Sequence, residues 1–202
     1  MSLHFQRPLP RAATWAALLL CAPFGHALAG QSLDDRRVGV FAGYTFANAQ
    51  DPDDSGLRLS FSGGDIGVYV TQNRWLRWTG DFTAAGNGGI LGPTILYGLA
   101  GPEFTKRTGR AIFFGHALFG YGEVDGGLFS ANKSGVAMAF GGGVDLRLNK
   151  RFNLRVVQLD YLPSHFGGRP ESIFGPTGPV VTSWENNLRV SVGVVVKFGH
   201  TP

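Results

Sequence analysis

Charge is scarce in this chain. Only 16% of its 202 residues are Asp, Glu, Lys or Arg, and the formal balance is +4. The basic residues are scattered, so no nucleic-acid-binding patch is indicated. Cysteine is nearly absent, the single one being Cys21. No long helical periodicity is found, and neither is a Gly-x-Gly-x-x-Gly, Walker, His-Glu-x-x-His or Gly-x-Ser-x-Gly motif. Beyond residue 29 the histidines are His116, His165 and His200, too dispersed to announce a metal site. No cofactor and no enzymatic activity are therefore expected. What the chain has in abundance is glycine, 31 residues, and phenylalanine, 16. Abundant glycine and aromatics with little charge suit short strands and tight turns.

The first 29 residues read differently from the rest. "MSLHFQRPLPR" carries Arg7 and Arg11 and no acid, "AATWAALLLCAPF" is apolar, and Ala27–Ala29 is small. This is the three-part layout of a secretory signal peptide, preferred over a buried N-terminal helix. The apolar run is shorter than the roughly 20 residues that span a bilayer. Cleavage after about Ala29 would leave residues 30–202 as one barrel domain without cysteine, held by hydrogen bonds and burial alone. Leu20 before Cys21 argues against lipidation.

Alternation predicts about eight strands: Val38–Ala47, Gly64–Gln72, Leu76–Ala84, Thr94–Lys106, Ala111–Val124, Gly135–Asn149, Phe152–Phe166 and Asn187–Gly199. Several reach the 9–11 residues of a tilted bilayer crossing. Their connections alternate in length. "NRW", "RTGR" and "NKR" are short, whereas "NAQDPDDSGLRLSFSGG", "AGNGGILGP", "DGGLFSANKSG" and "GGRPESIFGPTGPVVTSWEN" are long. Short turns at one end and long loops at the other mark an up-and-down transmembrane barrel, with an even strand number and both termini in the periplasm.

"LRVSVGVVVKF" shows the problem of faces. Leu188, Val190, Val192, Val194, Val196 and Phe198 share one face; Arg189, Ser191, Gly193, Val195 and Lys197 share the other. Alternation alone allows a membrane barrel with valines in lipid or a soluble lipocalin-like barrel with charges outside. Loop segregation, strand length, low charge and the lack of a Gly-x-Trp signature favour the membrane. The fold class expected is thus all-β, an eight-stranded antiparallel transmembrane barrel. Its lumen is expected to be a polar plug, with Asp65, Arg77, Asp81, Glu103, His116, Asp145, Arg147, Asp160, Arg189 and Lys197 as the candidate network. His116 is expected to bond Asp145, Asp160 or Glu103.

Two strands break the alternation. In "FNLRVVQLDYL", Arg155 shares parity with Val157 and Leu159 against Gln158 and Asp160. Either it points outward and snorkels to headgroups, or a bulge intervenes. In "LAGPEFTK", Glu103 shares parity with Tyr97 and Leu99 beside Pro102, and a second bulge is expected. Outward Trp and Tyr among Tyr69, Trp75, Trp78, Tyr97, Tyr121 and Tyr161 are candidates for interfacial girdles.

The strands "GHALFGYGEV" and "FGGGVDLRLNKRFNLRVVQLDYLPSHFGG" resemble bacterial eight-stranded outer-membrane barrels of the small-porin and OmpA-like transmembrane type. Acidobacterial members carry "HALFG", "GGGxDxR" and "QxDYLxxxF", found here on His116–Gly120, Gly141–Arg147 and Gln158–Phe166. The resemblance implies insertion by the barrel assembly machinery, outer-membrane lipid as surroundings, and no established activity. Three functions remain in play: a monomeric structural or surface-interaction barrel, which is preferred; a narrow pore; and a rim hydrolase. For the last, Ser164 and His165 are adjacent and so point to opposite faces, which disfavours a nucleophile–base pair.

Overall fold

The computed structural model describes residues 38–50, 58–88, 92–125, 133–168, 171–172, 175–176 and 181–198. The signal-peptide expectation falls outside them. The strands are β1 (Val38–Gln50), β2 (Arg58–Thr71), β3 (Leu76–Gly86), β4 (Thr94–Thr108), β5 (Ala111–Asp125), β6 (Lys133–Arg147), β7 (Phe152–Gly168) and β10 (Val181–Phe198), with a two-residue pair, β8 (Glu171–Ser172) and β9 (Gly175–Pro176), between the last two. The eight long strands form a closed barrel in which every neighbour is antiparallel. The last strand closes on the first, from Val38 opposite Phe198 to Asn48 opposite Leu188. Closure leaves no edge with unpaired backbone groups, which a bilayer core would penalise.

The strands exceed the expected lengths mainly at the loop end. β2 starts at Arg58 and not Gly64, and β10 starts at Val181 and not Asn187. "RLSFSGG" therefore continues the sheet, with Phe61 inside and Arg58 donating to the carbonyls of Asn48 and Asn186 at 3.1 and 3.0 Å. Its Gly- and Ser-rich composition reads locally as loop, but pairing with β1 overrides that propensity.

The outer surface is apolar. Ile66, Val68, Phe82, Phe119, Phe140, Leu159, Val190, Val192 and Val194 are all exposed on it. The two-faced reading of Leu188–Phe198 resolves accordingly: the valines at 190, 192 and 194 face outward, and Arg189, Ser191 and Val195 are buried within. Trp75 stacks on Phe104 near the short turns, with centroids 5.9 Å apart. Tyr161 and Trp184 are exposed nearer the loop end, whereas Tyr69 and Tyr97 point inward and are no part of a girdle.

The two irregular strands resolve in opposite ways. In β7 the register shifts on both sides: Arg155 opposes Asp145 and Gly193, while Val157 opposes Val144 and Gln158 opposes Ser191. Val156 is thus an extra residue, a bulge that turns both Arg155 and Gln158 inward. The outward, snorkelling alternative for Arg155 is excluded. In β4 no bulge exists: Leu76–Gly86 pairs with Thr94–Phe104 in unbroken register. Tyr97, Leu99 and Glu103 share a face because all three point inward.

Two of the short turns use one device. Asn73 Oδ1 accepts from the backbone N–H groups of Trp75 and Leu76 at 3.0 and 2.9 Å. Asn149 Oδ1 does the same for Arg151 and Phe152, both at 2.8 Å. Such side-chain acceptors replace backbone partners lost at a reversal. The third turn relies on Gly109, whose φ of +58° strains a residue bearing a Cβ.

Candidate functional site in the barrel lumen

The interior divides into three layers along the barrel axis. Nearest the short turns, Arg77 of β3 donates to Glu103 of β4 at 3.0 Å, and its guanidinium lies 4.3 Å from the centroid of Tyr69. Beside it, Arg155 donates from Nε to Asp145 Oδ1 at 2.9 Å. The Arg155 guanidinium sits between the rings of Phe41 and Phe114, 4.3 Å from each centroid. A cation held between two aromatic faces and a carboxylate keeps both charge and packing satisfied.

The middle layer centres on Asp160. It accepts from Arg189 Nε at 2.9 Å and Nη2 at 2.6 Å, and from Gln158 Nε2 at 2.8 Å. Its other oxygen is 2.8 Å from His116 Nε2. Arg189 reaches across the lumen to Asp81 at 2.6 Å and also bonds Thr83. Gln158 links the layers by accepting from Arg155 Nη1 at 2.6 Å. Gly141, opposite Asp160 on β6, makes the room: a Cβ there would lie 2.1 Å from Asp160 Oδ1 and 2.2 Å from the Leu159 carbonyl oxygen. Asp65 is buried near Arg189, Asp81 and Ser191, but neither of its oxygens has a hydrogen bond among the described residues.

The layer nearest the loops holds an apolar cluster, with Lys133, Ser164, Glu185 and Asn187 buried in the same half. Ala47, Phe61, Ile95, Tyr97, Leu99, Leu118, Ala137, Leu162 and Phe166 pack as one cluster inside the barrel. Tyr97 and Phe166 stack with centroids 6.4 Å apart, and the Tyr97 hydroxyl accepts from Asn187 at 3.1 Å. The lumen thus holds an apolar cluster beside its polar groups, and the ion pairs lie in the half toward the turns. The signal was hard to find, since "ILYGLAG" is apolar on both faces and Phe61 sits in a segment read as loop.

Of the ten candidate residues, Arg77 and Glu103 form one pair, and Asp81, His116, Asp160 and Arg189 form one connected group. Asp145 pairs with Arg155, which was not among them. Two depart from expectation. Arg147 shares the inward parity of Asp145 but lies past the end of the lumen, exposed on the rim. Lys197 is half-buried, also at the turn end. His165 packs outward on Trp184, centroids 4.8 Å apart, while Ser164 is fully buried inside, so the two form no nucleophile–base pair. Among the described residues, no group of His, Cys, Asp and Glu is arranged to hold a metal ion.

A closed eight-stranded antiparallel barrel with an apolar exterior and charges confined to its interior and rims has the fold of the bacterial transmembrane β-barrels. Among solved structures, OprG of Pseudomonas aeruginosa is similar with a TM-score of 0.56 and 11% identity, covering 81% of this chain and 96% of that one. Neisserial surface protein A is similar with a TM-score of 0.55 and 17% identity, covering 80% and 97%. The attachment invasion locus protein Ail of Yersinia pestis is similar with a TM-score of 0.52 and 14% identity, covering 80% and 98%. At such identities the likeness is one of fold. No family model matches the chain, and no curated protein does either.

Proposed function

We propose that this protein is a non-conducting outer-membrane barrel whose function lies in what its loop end presents to the surroundings. The observation that carries the reading is the filling of the lumen by two different means in series. An apolar cluster occupies the half toward the loops, and a chain of ion pairs occupies the half toward the turns. An eight-stranded barrel is only wide enough for its own side chains, and here, among the described residues, five buried ion pairs link the charged ones. Ion passage would require breaking buried pairs, each costing about 3–5 kcal/mol when one partner is lost.

A barrel without a path leaves its ends as the place for interaction. The connections at residues 51–57, 126–132 and 169–180 lie outside the described residues or nearly so, and their Gly, Asp, Asn and Pro content suits contact surfaces rather than core. Ail and neisserial surface protein A are named for attachment and surface location, which is consistent with this reading. The test is reconstitution into planar bilayers alongside outer-membrane fractionation of cells. The protein should fractionate with the outer membrane, change gel mobility on boiling, and give no conductance steps. Stable conductance from the unmodified chain would favour a pore instead.

A further inference from the structure

We infer that the turn end of the barrel is a binding collar for anionic phospholipid headgroups of the periplasmic leaflet. It rests on the membrane orientation argued above but not on the role of the loops.

The short turns and the strand ends beside them carry Arg74, Lys106, Arg110, Arg147, Lys150 and Arg151, all exposed. Among the described residues, no exposed acid accompanies them. The carboxylates nearest in sequence, Glu103 and Asp145, are buried in the lumen against Arg77 and Arg155. The exposed acid Asp125 is at the opposite end, where the sequence between β1 and β2 adds Asp51, Asp53 and Asp54. In the segment just before β1, outside the described residues, two aspartates and two arginines cancel. A chain short of charge has thus concentrated one sign of it on one rim.

Backbone geometry then sets these cations side by side. The Thr105 N–H donates to the Trp75 carbonyl at 2.8 Å, so Arg74 and Lys106 flank one strand junction. The Arg147 N–H donates to the Arg110 carbonyl at 2.8 Å, bringing those two arginines to a second. Like charges held at neighbouring positions of a sheet repel and destabilise it unless an anion lies between them. A phosphodiester supplies one negative charge and acceptor oxygens matched to guanidinium donors.

The surface next to the collar selects an amphiphile over a soluble anion. Immediately beyond the cations toward the mid-barrel lies exposed apolar surface: the Trp75–Phe104 stack beside Arg74 and Lys106, and Leu148 and Phe152 beside Lys150 and Arg151. Acyl chains cover such surface while the headgroup meets the cations, the arrangement of an interfacial belt with basic residues at its edge.

The experiment uses the full chain refolded and reconstituted into vesicles of phosphatidylcholine mixed with phosphatidylglycerol, then extracted in mild detergent. Native mass spectrometry reads the lipids retained. Phosphatidylglycerol should be retained in excess of its share, and the excess should fall about fivefold for each rim cation removed. Arg110→Gln with Arg147→Gln tests one junction, and Arg74→Gln with Lys106→Gln another. Boiling-dependent gel mobility verifies that these surface variants still fold. Equal retention of the two lipids, or an excess that the variants leave unchanged, overturns the proposal. So does displacement of the lipid by inorganic phosphate, which would reveal a site for a free anion, or variant-sensitive binding to purified peptidoglycan without lipid preference. None of these outcomes bears on conductance, so the collar and the sealed lumen fail independently.

Discussion

At the scale of single residues, the lumen is a set of exact dependencies between charge and space. Arg77 and Glu103 are both nearly fully buried and bond each other at 3.0 Å. Removing one partner strands a charge. Arg77→Met alone should destabilise the barrel by about 3–5 kcal/mol, while Arg77→Met combined with Glu103→Leu should recover most of that loss. Urea unfolding in vesicles measures both, and equal stability of single and double variants would mean the pair is solvated. Gly141 makes a steric counterpart. Gly141→Ala should cost about 1–3 kcal/mol by forcing Asp160 out of line with Arg189. The same substitution at Gly64, where a Cβ would have nothing within 4 Å, should be nearly silent in the same titration.

At the scale of elements, most strands were legible because one face is charged or glycine-rich and the other is Val, Leu or Phe. β10 is the clearest, with Arg189 and Ser191 buried and Val190 and Val192 exposed. β7 was legible only as an anomaly, because a bulge inverts parity without altering composition. β4 is not legible from alternation, since Tyr97 and Leu99 are apolar yet point inward with Glu103. The bulge carries a sharp prediction. Deleting Val156 should be tolerated, because Arg155 and Val157 already oppose the consecutive residues Asp145 and Val144 on β6. Deleting Ala117 from β5, which has no register shift, should abolish folding, since it sends either His116 or Leu118 to the wrong face. The presence or absence of a mobility change on boiling separates the two outcomes.

At the scale of the whole molecule, the closed barrel was readable from loop rhythm, while the layering of its lumen was not. Layering depends on which strands meet across the interior, and only register decides that. Arg189 and Asp81 are far apart in sequence, as are Tyr97 and Asn187, yet each pair bonds. Under the proposed sealed lumen, two fillings in series make neither one alone necessary to block it. Phe61→Ala with Phe166→Ala, which hollows the outer half, should still give no conductance steps in a planar bilayer. Adding Arg77→Met with Glu103→Leu should leave the remaining Arg155 and Arg189 pairs holding the inner half closed. Conductance from the first variant alone would locate the barrier in the apolar cluster.

The position of Arg189 has a consequence for how the barrel is made. It lies on the final strand, yet it supplies the cation for Asp81 on β3 and Asp160 on β7. If the strands join the sheet in chain order, those carboxylates take their places before this counterion arrives. Seven paired strands would then be an electrostatically incomplete sheet, open to water. Arrival of β10 completes the backbone ladder and neutralises the interior in a single event. Such a late, distant closure is slow to search for but all-or-none once found. One arginine thus ties neutralisation of the lumen to the closing of the barrel on itself.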